Sequence, residues 1–309
     1  MEDQKEIKVE QTITETPETP KTSKQKKPTK KQLVSELLAK SNSKVFIANW
    51  KMNNKFADIK AYFKKFNKLI GSDKTLKTMG NVLIGVAPTA IGLLPVVGMA
   101  RKGILTVAQN VYHKENGSYT GCISYDQVHE YNINYAIVGH YETRTIFNLK
   151  EADVNEVVKS LVNNQMTPIL CIGETAEEKD NGLTQKVLSK QLLNDLKDVS
   201  ANQALNVIIA YEPIWAIGKS PATNDEIDKN IKMIREIIGS IYDSETAKNI
   251  HILYGGSVDE NNAAEILTVR SVDGFLVGRA GLDPLAFYKI IKSSPEYIES
   301  EKILKSKNK

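Results

Sequence analysis

A chain of 309 residues, 41% hydrophobic and 25% charged, has the make-up of a soluble globular protein with room for one large domain or two small ones. Its net charge of +4 is modest, no apolar run approaches the ~20 residues of a membrane helix, and the N-terminus lacks the apolar core of a signal peptide. Two cysteines without C-x-x-C spacing (Cys122 and Cys171) and four scattered histidines give neither a disulfide framework nor a metal-ligand set, so no metal site is expected and reduced cytoplasmic thiols are the default.

Residues 1–43 are dominated by Thr, Lys, Glu, Pro and Ser, and such a segment buries too little apolar surface to offset its ordering entropy. It reads as a disordered extension, with one short amphipathic helix suggested by Leu33, Val34, Leu37 and Leu38. Residues 21–31 hold six lysines and no acid. A basic block of this kind is commonly a solvated tail, and no aromatic side chain interleaves with it for base stacking, so nucleic acid is not an expected partner.

From Val45 short β-branched runs alternate with helical patterns. The strand candidates span 45–50, 82–88, 104–109, 135–140, 167–173, 207–213, 250–256 and 272–278. Between them, Thr223 to Glu226 supply helix caps and N-terminal acids, and Ile227, Ile231, Ile234 and Ile238 follow on one helical face. Asp283-Pro284 opens the last helix. Eight strands alternating with helices in about 250 residues fit a single α/β domain, a (β/α)8 barrel with a parallel eight-stranded core and outer helices, over 44–293. A doubly wound sheet would carry a glycine-rich fingerprint after the first strand, and NWKMN has none. Residues 294–309 read as a polar tail.

A parallel barrel gathers its chemistry at the carboxyl ends of its strands. Those ends carry Asn49 and Lys51, Gly139-His140 followed by Glu142, Glu212, the turn Gly255-Gly256-Ser257, and Gly278-Arg279. Glu212 is followed at once by Pro213-Ile214-Trp215-Ala216-Ile217-Gly218, too apolar for an ordinary solvated loop. It reads as a cover that dries the carboxylate, and desolvation makes a carboxylate a better base. Taken singly, each residue has a plainer reading: a helix cap, a structural histidine, a surface lysine, an ordinary Gly-Gly turn. Arriving together at strand ends, they suit proton transfer beside a carbonyl on a phosphorylated substrate. Glu212 would be the base, His140 the donor to the carbonyl and Lys51 the counter-charge to an enediolate, with Asn49 adding an amide. Backbone N–H groups of the glycine turns and of Gly218 would meet a phosphate.

The motifs FIANWKMN, IVGH-x-E-x-R, ILCIGE, AYEPIWAIG, LYGGSV and DGFLVG stand in the order and at the spacing of one family, over roughly residues 44 to 293. The chain resembles the triosephosphate isomerases. The resemblance implies a TIM barrel that interconverts dihydroxyacetone phosphate and glyceraldehyde 3-phosphate without metal or cofactor, a glycolytic and gluconeogenic step of the cytoplasm. It makes His140, Glu212 and Lys51 catalytic, and it makes Asn49, Lys51, Glu142, Gly218, Ser257, Gly278 and Arg279 substrate-binding. Ile217 and Leu276 become the lid and clamp that close over the base. It also implies a homodimer in which the loop 117–122 of one subunit caps the other's site. A second role, binding or adhesion through the basic extension, is the alternative.

Four positions depart from the family pattern. Tyr141 stands where a small polar residue is usual. Cys122 and Thr143 replace an acid and an arginine that resemble two ends of one ion pair, which suggests a rebuilt, weaker interface. Lys219-Ser220-Pro221 replaces a glycine-bearing far hinge of the lid, which suggests slower or less complete closure. Arg279 stands where glycine is usual, and strains the turn if a positive φ is required there.

Overall fold

The computed structural model describes residues 43–78 and 82–307. Most of the expected extension, including the short helix read around Leu33 to Leu38, lies outside the described residues. Eight strands form a closed parallel barrel in chain order: β1 (Lys44–Asn49), β2 (Val82–Ala87), β3 (Ile104–Ala108), β4 (Tyr135–Val138), β5 (Thr167–Ile172), β6 (Ile208–Tyr211), β7 (His251–Tyr254) and β8 (Gly274–Val277). Pairing of β1 with both β2 and β8 leaves no free sheet edge. The helices that follow the strands are α1 (Phe56–Ser72), α2 (Leu93–Met99), α3 (Tyr125–Glu130), α4 (Glu151–Asn163), α5 (Thr184–Asp195), α6 (Asn224–Ile241), α7 (Ala263–Ile266) and α8 (Pro284–Lys292).

The strands are apolar on both faces because each face is covered. Val45, Ile47, Leu105, Val107, Ile169, Cys171, Ile208 and Ala210, alternate residues of their strands, meet in one cluster that contains no helix residue, the barrel's interior. The intervening residues, such as Phe46, Val86 and Ile209, join the helix faces in a second, larger core. The caps read from sequence form there. The Thr223 hydroxyl accepts from Glu226 N–H at 3.3 Å at the head of α6, and Asp283 accepts from Leu285 and Ala286 N–H at 2.6 and 2.9 Å at the head of α8.

The C-terminal segment differs from the polar tail expected. Pro295–Lys307 form a helix, α9. Its foot is anchored: Tyr297 is buried, and its hydroxyl and that of Tyr288 on α8 both donate to Asp73, at 2.8 and 2.6 Å. Burial works against the Asp73 charge, but the two phenols, the Leu76 N–H and the Lys292 ammonium outweigh it and hold the carboxyl below its ordinary range. One aromatic residue docks a segment whose remaining residues are mostly polar, so composition alone hides it.

The alternation that builds the interior also fixes the site. Interior positions continued past the strand ends reach Asn49, Gly173, Glu212, Gly255, Ser257 and Gly278. Gly173 has to be glycine, because a β-carbon there would lie 1.8 Å from the Glu212 carbonyl oxygen. Gly173→Ala is therefore expected to lower the unfolding free energy by about 3 kcal/mol through overpacking and to displace Glu212. Denaturant unfolding and steady-state kinetics on the same variant check both effects.

Candidate active site

Asn49, Lys51, His140, Glu212, Ile217, Gly218, Ser257, Leu276, Gly278 and Arg279 all line one cavity of about 760 Å³ at the carboxyl end of the barrel. Of the residues read from sequence as a site, only Glu142 is not part of its wall. Glu142 instead stands behind Lys51, accepting from its ammonium at 2.8 Å. The cavity floor is buried: Asn49, His140 and Glu212 are each less than 7% exposed.

His140 reaches this cavity through a change of phase. Along β4, Tyr135 and Ile137 point inward, so strict alternation would turn residue 140 outward. Gly139 adopts φ +66°, a left-handed conformation open to glycine, and this rotates the next side chain into the barrel mouth. Arg144 supports the turn, its Nε donating to the Gly139 carbonyl at 2.6 Å, while Asp195 and Glu151 pair with its other nitrogens, each at 2.6 Å.

The hydrogen bonds around the imidazole define its tautomer. Its Nδ1 accepts from the Glu142 backbone N–H at 3.2 Å. The ring proton therefore sits on Nε2, which lies 3.0 Å from Glu212 Oε1. The other oxygen of Glu212 accepts from the Tyr141 backbone N–H at 3.0 Å. In this tautomer Nε2–H is the donor that faces the cavity, where a carbonyl oxygen can replace the carboxylate.

Lys51 sits at φ +50°, an uncommon conformation for a lysine. Its backbone is fixed from below: the Gln109 side-chain amide donates to the Lys51 and Ala87 carbonyls, both at 2.8 Å. Partial burial opposes the ammonium charge, but the bond and charge of Glu142 outweigh it and raise the lysine above its ordinary range. The same ion pair, again against burial, holds Glu142 below the ordinary carboxylate range. Both groups are therefore charged across the neutral region.

The cover over Glu212 is tied down by hydrogen bonds at three places. A short 3-10 helix, Ile214–Ala216, leads into Ile217 and Gly218 at φ +68°. The Ser257 hydroxyl joins the lid to the turn after β7, accepting from Gly218 N–H at 3.1 Å and donating to the Ala216 carbonyl at 2.8 Å. At the far end the Ala222 N–H donates to the Tyr254 hydroxyl at 3.1 Å. The near end is held by Glu174, which accepts from Trp215 Nε1 at 2.8 Å and from the Tyr211 hydroxyl at 3.0 Å. The glycine pair of that turn is also explained. A β-carbon on Gly255 would lie 2.9 Å from Glu212 Cγ, so its absence makes room for the base. Arg279 opens a 3-10 turn outside the left-handed region, so the strain expected of a non-glycine residue there is absent.

Two contributors escaped the reading of strand ends. Gln109 looks like an ordinary amide closing β3. Glu174 closes the quoted motif ILCIGE, and nothing beside it in the sequence points to its partners Tyr211 and Trp215.

The triosephosphate isomerase family model matches residues 44–294. The chain belongs to that family. It is 36% identical over 254 residues to a triosephosphate isomerase of Mycoplasmoides gallisepticum, covering 82% of this chain and 99% of that one. It is 39% identical over 250 residues to a triosephosphate isomerase of Clostridium acetobutylicum, covering 80% and 98%. A triosephosphate isomerase of Mesomycoplasma hyorhinis is likewise 39% identical over 248 residues, covering 80% and 97%. The match begins at the first strand, so the N-terminal extension lies outside the family's shared part.

Removing the Ser257 hydroxyl strips the lid of its central latch while leaving the floor of the cavity intact. Ser257→Ala is expected to raise KM several-fold and to weaken competitive inhibition by inorganic phosphate by a similar factor, as the loss of about one hydrogen bond at each contact would. Steady-state kinetics with a phosphate titration measure it.

Proposed function

We propose that this chain interconverts dihydroxyacetone phosphate and glyceraldehyde 3-phosphate through an enediolate. The observation that carries the reading is the buried pair of Glu212 and His140, with Nε2 3.0 Å from Oε1 and the Lys51 ammonium on the same cavity wall. Family membership gives the substrate, and the geometry supports the following roles.

As a substrate enters, its carbonyl oxygen takes the place of Glu212 Oε1 as acceptor for His140 Nε2–H. The freed carboxylate removes the proton from the adjacent carbon, and the electron pair of that C–H bond moves to the carbonyl oxygen. Lys51 and the Asn49 amide lie on the wall where that negative charge develops, in a water-poor site where such donors act most strongly. Glu212, now protonated, returns the proton to the neighbouring carbon, while His140 relays a proton between the two oxygens. Every proton transfer uses the carboxylate of Glu212 or the imidazole of His140, and the Lys51 ammonium only balances charge. The backbone N–H groups of Gly218 and the turns at Ser257 and Gly278 supply donors for the phosphate dianion, and the exposed Arg279 adds a cation at their rim. Ile217 and Leu276, on the same wall, are the apolar pair that closes over the base.

We further propose that the chain works as a homodimer in the cytoplasm. Several large apolar side chains on the loops and helices around the mouth are exposed: Met52 at 92%, Ile91 at 90%, Ile146 at 68% and Phe147 at 75%. A monomer gains nothing from such surface, and a partner would cover it. The loop 117–122 is exposed along its length and is suited to reach a second subunit. Cys122 and Thr143 leave that surface without the family's ion pair, so the interface rests on apolar contact. Mass measurement over a dilution series is expected to show a dimer that dissociates at concentrations well above nanomolar; a tighter dimer refutes the weak-interface reading. The alternative role through the basic extension finds no support in the family match.

Shortening the base tests the chemistry directly. Glu212→Asp withdraws the carboxylate by one methylene, about 1 Å, and a misplacement of that size is expected to cost on the order of 100-fold in kcat with KM nearly unchanged. A coupled isomerase assay reads it, and a folded wild-type protein without activity would overturn the whole assignment.

A further inference from the structure

We propose that Tyr141 is a positioning residue for the isomerisation, fixing the Lys51 ammonium and the Glu142 carboxylate in place beside His140. The inference rests on the roles given above to Lys51 and His140. It starts from a departure: a bulky aromatic residue stands where the family pattern has a small polar one, directly after the catalytic imidazole.

Tyr141 touches Glu212, Glu142, Lys51 and His140 through its backbone, its hydroxyl and its ring. Its backbone N–H holds Glu212 Oε2 at 3.0 Å. Its hydroxyl donates to Glu142 Oε1 at 3.2 Å, the same oxygen that takes the Lys51 ammonium at 2.8 Å. Its ring face lies 5.0 Å from Lys51 Nζ, within the range of a cation–π contact. The same ring lies against His140, with centroids 4.8 Å apart and planes tilted by 40°. The backbone of Tyr141 is held in turn, its carbonyl accepting from the Thr145 hydroxyl at 2.8 Å.

This arrangement answers a mechanical problem. A lysine carries its charge on a flexible four-carbon stem, and one carboxylate oxygen fixes its distance but not its direction. The ring supplies a second surface, so the ammonium is held between a carboxylate and a π face. The hydroxyl meanwhile keeps the carboxylate oxygen from rotating away. Burial and the Glu142 charge, with Lys51 pulling the other way, keep the phenol protonated above its ordinary range, so it serves as a donor through neutral pH. The groups that face the Lys51 ammonium are Glu142, Tyr141 and, farther off, Glu212, and all three favour its charged form.

The test uses the full chain and four proteins: wild type, Tyr141→Phe, Tyr141→Leu and Lys51→Ala. Tyr141→Phe keeps the ring and loses the donor, and is expected to raise KM about threefold with kcat within twofold. Tyr141→Leu keeps the bulk but loses both, and kcat/KM is expected to fall about tenfold or more. The alkaline limb of the kcat/KM profile should move to lower pH from wild type to Phe to Leu, because the ammonium loses support at each step. Inhibition by inorganic phosphate should stay unchanged in both, since the phosphate cradle is left alone. Wild-type KM and an unmoved alkaline limb in both Tyr141 variants, with Lys51→Ala crippled, would overturn this inference alone. An unaffected Lys51→Ala would overturn the underlying roles as well. If Tyr141→Leu does not fold, the KM and alkaline limb of Tyr141→Phe decide by themselves.

Discussion

The approach of His140 Nε2 to Glu212 Oε1, 3.0 Å apart, brings the ends of β4 and β6 together across the barrel mouth, and the site is built on it. Glu212 arrives by simple continuation of the inward positions Ile208 and Ala210. His140 arrives only because Gly139 breaks the alternation. The break needs support, and Arg144 gives it. Burying a guanidinium is expensive without paired charges, and two carboxylates at 2.6 Å with two backbone carbonyls satisfy it. The cation belongs to the scaffold, yet the tautomer and aim of the imidazole follow from where it holds the chain.

Lys51 shows the same division of labour. Its left-handed backbone costs on the order of 1 kcal/mol, a small amount beside what is gained by pointing an ammonium into the cavity. Trp50, one position earlier, faces the helix layer: it is fully buried, its indole N–H donates to the Gly281 carbonyl at 2.9 Å, and its ring lies 4.8 Å from Tyr62. A rigid aromatic between Asn49 and Lys51 lets both site residues share one face without freedom to slip. Gln109 then closes the turn from β3. The site is thus held by neighbouring strands, and the loops between them add the lid.

These relations explain what could be read from residues alone. Strand runs are continuous and apolar because both barrel faces are covered, and a carboxylate, imidazole, lysine and glycine turn at strand ends then mark the site. Such features are local. Gln109 and Glu174 escaped because their roles depend on partners in other strands and in the lid, as with Tyr211 and Trp215 around Glu174, 37 and 41 residues away. The helix Pro295–Lys307 escaped for the same reason in stronger form: Tyr297 docks on Asp73, 224 residues earlier. Composition weighs the whole segment, whereas one buried phenol decides its place.

The lid draws on both kinds of information. Replacing a glycine-bearing far hinge by Lys219-Ser220-Pro221 reads as a restraint on movement, and a restraint slows the crossing between open and closed forms. Restraint also acts on the open ensemble. A proline removes conformations from the unlatched loop, so less entropy is lost when the loop is held. The segment over Glu212 meanwhile keeps contacts at three places: Trp215 on Glu174, Gly218 and Ala216 on Ser257, and Ala222 on Tyr254. None of them uses the altered residues. The altered hinge therefore leaves untouched the contacts that hold this segment over Glu212. A stiffer hinge acts on how the cover can move, while the burial of Glu212, 2% exposed, goes with contacts that lie outside the hinge.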